Sequence, residues 1–82
     1  MIKPRMGKYK VKGCLENIIE WKVIDGGRYN SIREARAKAQ TILDEFEDNK
    51  EYTYAGVAIF NGNKLMENRE KWRDEEWYLK KL

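Results

Sequence analysis

Between Lys8 and Gly13 the chain alternates strictly, and KYKVKG sets Tyr9 and Val11 on one side and Lys8, Lys10 and Lys12 on the other. Successive side chains of a strand point to opposite faces, so this pattern predicts a short half-buried strand. GCLEN, residues 13–17, is then expected to turn the chain. NIIEWKVI predicts a second strand, with Ile19, Trp21 and Val23 on one face and Ile18, Glu20, Lys22 and Ile24 on the other. Paired as a hairpin, the two strands would set Lys10 opposite Glu20, a favourable cross-strand pair. DGGRYN, residues 25–30, reads as a loop, because its residues tolerate positive φ.

The period then changes. Ser31-Ile32-Arg33-Glu34 matches a capping box, in which a hydroxyl meets the third helical amide and a carboxylate reaches back. Ile32, Ala35, Ala39, Ile42, Leu43 and Phe46 fall within an arc of about 100°, the width of a core-facing helical stripe. A helix is expected from there to a stop near Asn49. EYTYAGVAIF has the β-branched and aromatic content of a third strand, Asn61-Gly62-Asn63 a hairpin turn, and KLMEN the returning strand. The order β-β-α-β-β predicts an α+β fold, an antiparallel sheet of about four strands with one main helix on one face. The helix stripe should meet Tyr9, Val11, Ile19, Trp21, Val23, Ala55, Val57 and Ile59.

The end of the chain, EKWRDEEWYLKKL, obeys neither period. As a helix it would align Trp72 with Leu79; as a strand it would set Trp77 and Leu79 on one face, Trp72 and Tyr78 on the other. Its type stays open between the two. Burying one tryptophan removes about 150–250 Å² from water, a large sum for a small domain. At least one of Trp72 and Trp77 is therefore expected to pack on the domain and to cover sheet that the main helix cannot reach. The other, with Tyr78, would remain as a partner anchor, since Trp, Tyr and Arg are enriched in binding hot spots.

Composition narrows the class. Eighty-two residues form a single domain, 1–82, near the lower limit for folding without disulfides or metal. Apolar residues are 41% and charged residues 38%, and three Trp, five Tyr and two Phe are too many for a disordered tail. The one cysteine, Cys14, has no internal disulfide partner, which suits a reducing compartment. No apolar run approaches the roughly 20 residues of a membrane span, and the basic start is not followed by the apolar stretch of a secretory signal. A cytoplasmic protein without membrane contact is expected. The net charge is +3, but Lys3, Arg5, Lys8, Lys10 and Lys12 stand together before the first acid. Such a strip suits an anion or an internal acidic complement.

Catalysis finds little to work with. Histidine, the commonest general base and metal ligand, does not occur. Cys14 lacks a histidine partner to activate it, and the sequence holds no nucleophile elbow, phosphate loop or dinucleotide fingerprint. The carboxylates Asp44 and Asp48, and Asp74, Glu75 and Glu76, read as solvated faces rather than metal or acid–base sites. A non-enzyme that needs no cofactor is expected.

Two features point to binding instead. The helix carries Arg33, Arg36 and Lys38 first and Asp44, Glu45, Glu47 and Asp48 last, the reverse of what its macrodipole prefers. Gly26-Gly27-Arg28 leads toward a helix start whose free amides favour negative charge, so Arg28, Arg33 and Arg36 could receive a phosphate or an acidic partner group. Free drift of screened surface charges is the simpler account of the same order, since exposed pairs matter little. The second feature is the sheet face opposite the helix, expected to carry Lys8, Lys10, Lys12, Lys22, Tyr52, Tyr54 and Phe60. Lysines among aromatic rings make a platform for single-stranded nucleic acid. KEYTYAGV resembles the aromatic strand of RNA-recognition folds, but glutamate occupies the glycine position and the element order lacks that fold's two helices. No residue roles follow from it.

In length and in its wealth of Lys, Glu, Asn and Tyr the chain resembles the small accessory proteins of phages and mobile elements. That resemblance implies non-catalytic binding, often inhibition of a host or defence protein. The partner-binding residues expected on this reading are Arg28, Arg33, Arg36, Trp77 and Tyr78. The alternative is nucleic-acid binding through Lys8, Lys10, Lys12, Tyr52 and Tyr54. A homodimer through an uncovered sheet face or edge is a further reading.

Overall fold

The computed structural model describes residues 7–73. Strand β1 (Tyr9–Glu16) and β2 (Trp21–Tyr29) form a hairpin, helix α1 (Ile32–Asp48) follows, and β3 (Tyr54–Asn61) and β4 (Lys64–Trp72) form a second hairpin. All pairings are antiparallel and the sheet order is β2-β1-β3-β4. The two hairpins thus join through β1 and β3, which run down the middle of the sheet. This is the α+β architecture that the hydrophobic pattern predicts. The expected partner-binding residues Trp77 and Tyr78 lie outside the described residues.

Helix α1 begins and ends where its signals stand. Ser31 is extended and its hydroxyl accepts a hydrogen bond from the Glu34 amide at 3.2 Å. Ala35, Ala39, Ile42, Leu43 and Phe46 are buried against Val11, Leu15, Ala55, Val57 and Ile59 of the central strands, with Tyr9, Ile24, Tyr29 and Ile32 packed at the margins. Phe46, Ile42, Ile59, Val11 and Val57 are the largest fully buried side chains, each worth about 1.5–3 kcal/mol of transfer free energy.

Strand β1 runs three residues past its expected end at Gly13, into the segment expected to turn. The turn lies instead at 17–20, where the Asn17 side-chain oxygen accepts from the amides of Ile19 and Glu20, both at 2.7 Å. Asn17 thereby supplies a local closure that an asparagine side chain is suited to make. Lys10 stands opposite Arg28, not Glu20, which lies outside the strand.

DGGRY is not a loop but the bulged half of β2. Val11 faces Gly27 while Lys12 faces Asp25, leaving Gly26 as the extra residue. A Cβ on Gly26 would lie 2.6 Å from Val11 Cγ1, so only glycine lets the strands approach here. Gly27 follows at φ +89°, in the left-handed region that favours glycine. Asp25 accepts from the Gly27 amide at 3.0 Å, and the Tyr29 hydroxyl donates to the Gly26 carbonyl at 2.5 Å.

That one residue inverts the remainder of the strand. A one-residue slip moves each side chain to the other face. Trp21 and Val23, expected beneath the helix, point away from it, and Ile24 takes the inner position opposite Gly13. Lys22, expected outside, stands opposite the inward Leu15. Ile19, also expected in the core, lies exposed in the turn. Tyr52 departs in the opposite sense: expected on the outer face, it is buried in the core and donates its hydroxyl to Glu20 at 2.7 Å.

The inner row of β4 meets the helix through charge. Glu67 pairs with Arg36, and Lys71 with Glu47. The ammonium of Lys71 holds the Glu47 carboxyl below its ordinary range, by its hydrogen bond first and its charge second. Arg73 ends the row by donating to the carbonyls of Phe46 at 2.8 Å and Asn49 at 2.7 Å, and to Tyr52 at 2.9 Å, while its guanidinium lies 4.2 Å from the centre of the Phe46 ring. The last helical turn contains no base of its own, so Arg73 supplies the positive charge and the donors that a helix C-terminus favours.

Two substitutions test these constraints by urea unfolding. Gly26→Ala should lower stability by about 1–3 kcal/mol, the usual cost of overpacking; an unchanged midpoint would show that Val11 has room to yield. Arg73→Met keeps the stem and removes the donors, and a loss of about 1–3 kcal/mol is expected from the charged hydrogen bonds.

Candidate functional site

The outer face of the sheet, opposite α1, is where chemistry-bearing side chains gather. The strand registers arrange it as a grid of four rows. At one end Arg28, Lys10, Phe60 and Leu65 lie side by side across β2, β1, β3 and β4. The next row is Asp25, Lys12, Ala58 and Asn68, and the third is Val23, Cys14, Gly56 and Glu70. The far row is Trp21, Glu16, Tyr54 and Trp72.

Several of these groups are apolar and uncovered. Trp21 is 67% exposed, Trp72 67%, Val23 60% and Leu65 51%. An exposed leucine means little by itself, but a contiguous apolar face rimmed by charge marks an interaction surface. The Trp72 ring leans on Tyr54 with 4.4 Å between centres and planes tilted by 53°. Beside them opens a hollow lined by Glu16, Asn17, Ile18, Thr53, Tyr54 and Trp72. In the middle of the face Ala58 presents almost no side chain, while the Tyr54 phenol lies across Gly56.

Charge divides the grid. Lys10, Lys12 and Arg28 hold the end nearest the 61–64 turn, where Gly7, Lys8, Arg28, Asn30 and Asn61 also line a hollow. Glu16 and Glu70 stand among the aromatic rings at the other end. The Tyr54 hydroxyl donates to Glu70 at 2.9 Å. Burial first, and then that hydrogen bond and the Glu70 charge, push the Tyr54 phenol up to about 12. In the core, the hydrogen bond to Glu20 is the main cause that raises the Tyr52 phenol above its ordinary value.

The structure thus brings together Lys10, Lys12 and Tyr54 of the expected nucleic-acid residues, with Lys8 at the margin beside the Tyr9 ring at 5.4 Å. It removes Tyr52 to the core. Of the expected partner-binding residues, Arg28 joins the outer face, Arg33 is exposed in the first turn of α1, and Arg36 is held by Glu67. Trp21, Val23, Glu16 and Glu70 were not expected on this face. For Trp21 and Val23 the signal is the Gly-Gly pair inside an otherwise strand-like run, which marks a bulge; Glu16 and Glu70 reach the face because β1 and β4 run past their expected ends.

Tyrosine titration checks the acidic end. With its folded pKa raised above the free value near 10, Tyr54 contributes stability that is full below that value and is lost as pH rises through about 12. In an ultraviolet titration Tyr54→Phe should remove a late tyrosinate step, and Glu70→Gln should move that step to lower pH. A step unmoved by Glu70→Gln would sink the hydrogen-bond contribution. No protein-family model, curated protein or solved structure matches this chain, so its functional reading rests on the geometry of this face.

Proposed function

We propose that the protein is a small non-catalytic binding module that docks a protein partner on the outer face of its sheet. The observation that carries this reading is the row where exposed Trp21 and Trp72 flank half-buried Tyr54, with Val23 in the adjoining row and Leu65 exposed at the far end of the same face. A domain of 82 residues has few large apolar groups to spare, and two tryptophans left in water are a cost that a bound partner would offset. Tryptophan and tyrosine are also the residues on which interface energy concentrates. Inhibition or modulation of a host or defence protein is the form of binding that the likeness to phage accessory proteins implies.

Nucleic acid is the second reading, supported by Lys10, Lys12 and Arg28 around Phe60. The division of charge weighs against it. Three of the four rings lie at the end that carries Glu16 and Glu70, where phosphates would be repelled rather than held.

Two measurements separate these readings. Capture from cells of the native source, quantified by mass spectrometry, should recover a protein with the natural chain and lose it with the Trp21→Ala/Trp72→Ala double variant. Hot-spot truncations of this kind cost about 2 kcal/mol or more each. Equal recovery by both would overturn the protein reading. Titration with single- and double-stranded oligonucleotides should give no binding at low salt; affinity that falls steeply as salt rises would favour nucleic acid.

A further inference from the structure

We infer that the outer sheet face pairs with the same face of a second copy of this chain, in a two-fold dimer whose facing strands run antiparallel. This rests on the reading of that face as a protein-docking surface and names its occupant. The argument is the complementarity of the face with itself. Its rows grade from basic to acidic along the strands, with Arg28 and Lys10 in the first row and Glu16 in the last.

Two-fold axes in the plane of such an interface come in two simple orientations. An axis parallel to the strands superposes each row on itself, setting the basic row on the basic row and Glu16 near Glu16. An axis perpendicular to the strands keeps each strand above its own copy and reverses the rows. Lys10 then meets Glu16 of the second copy, and Glu16 meets Lys10, as an isologous contact requires. Phe60 meets Tyr54, Leu65 meets Trp72, and the Arg28 guanidinium comes over the Trp21 ring, a favourable cation–aromatic arrangement. At the centre, the Tyr54 phenol lies across Gly56, and the small side chain of Ala58 leaves space for the longer side chains around it. The two sheets would pack with their strands nearly aligned, as in sandwiches.

Among the described residues neither Lys10 nor Glu16 has an ion-pair partner within its own chain. Lys10 stands next to Arg28 on one side and Phe60 on the other, and Glu16 stands between Trp21 and Tyr54. The area is sufficient but not large. Four strands spaced by about 4.8 Å, with eight residues rising about 3.3 Å each, make a face of roughly 500 Å² per copy. Twice that value is the lower end for a specific interface. A face of that size suits a weak dimer that assembles and comes apart with concentration.

Charge swaps test both the dimer and its register. Sedimentation equilibrium on the full chain should show the mass rising toward twice that of one chain as concentration increases. Lys10→Glu alone brings glutamate to Glu16, and Glu16→Lys alone brings lysine to Lys10, so each should raise the dissociation constant roughly tenfold or more. Mixed together, the two variants regain both opposite-charge contacts, and a heterodimer should form at concentrations where each alone is monomeric. Circular dichroism of each variant verifies that the fold is retained.

A natural chain that stays monomeric up to millimolar concentration overturns the inference. The docking reading then stands or falls separately, on whether the Trp21→Ala/Trp72→Ala variant loses its captured protein. A dimer that both charge variants form as well as the natural chain places the contact elsewhere and also overturns it. So does failure of the mixture to recover, since the register then differs. Oligonucleotide that binds in place of a second copy, or a monomer whose outer face is covered by its own residues 74–82, are the other occupants these outcomes would point to.

Discussion

The close approach of Gly26 to Val11 governs which side chains this protein shows to its surroundings. A Cβ at position 26 would collide with the Val11 side chain, and the strands come together there because none exists. The extra residue of the bulge reverses the facing of the rest of β2. Ile24 goes under the helix, while Trp21 and Val23 go to the outer face. Without the bulge those two would extend the core, and the outer face would lose one of the three rings of its aromatic row. A single glycine in a strand thus separates a core residue from an outer-face residue.

The charge order of α1 finds its explanation on β4. Bases at the start of a helix and acids at its end oppose the macrodipole, which invites a search for an anion. The inner row of β4 runs Glu67, Arg69, Lys71, and Arg73 follows it, so the acid meets Arg36 and the base meets Glu47. Arg73 then caps the carbonyls at the helix end from outside the helix. Each exposed pair contributes little by itself. Together they settle β4 beside the helix, and they use Arg36, which leaves Arg28 and Arg33 as the exposed bases of the proposed anion-facing group.

Elements with strong local signals were legible. The capping serine, the helical stripe ending at Phe46 and the Asn-Gly turn each depend on residues within a few positions of one another, and each is where the pattern places it. The alternation of Tyr9 and Val11 and of Ala55, Val57 and Ile59 correctly gave their facing. Misreadings arose where a side chain's fate depends on a distant partner. Tyr52 looks like part of an aromatic strand, but its burial follows from packing in the core and from Glu20, far away in sequence. Of the outer face, Lys10, Lys12, Tyr54 and Phe60 were legible and Trp21, Val23, Glu16 and Glu70 were not.

By itself the sequence determined the element order, the helix and its limits, and a core built from one helical stripe and two central strands. Periodicity is a local property, and local steric and burial preferences suffice to read it. The tertiary structure alone decided the register of β2, the partners of the helix charges and the division of the outer face into basic and acidic ends. These depend on which residues lie opposite one another across strands. Such pairing follows from interstrand packing and one missing Cβ, and no window along the chain contains both members of the pair.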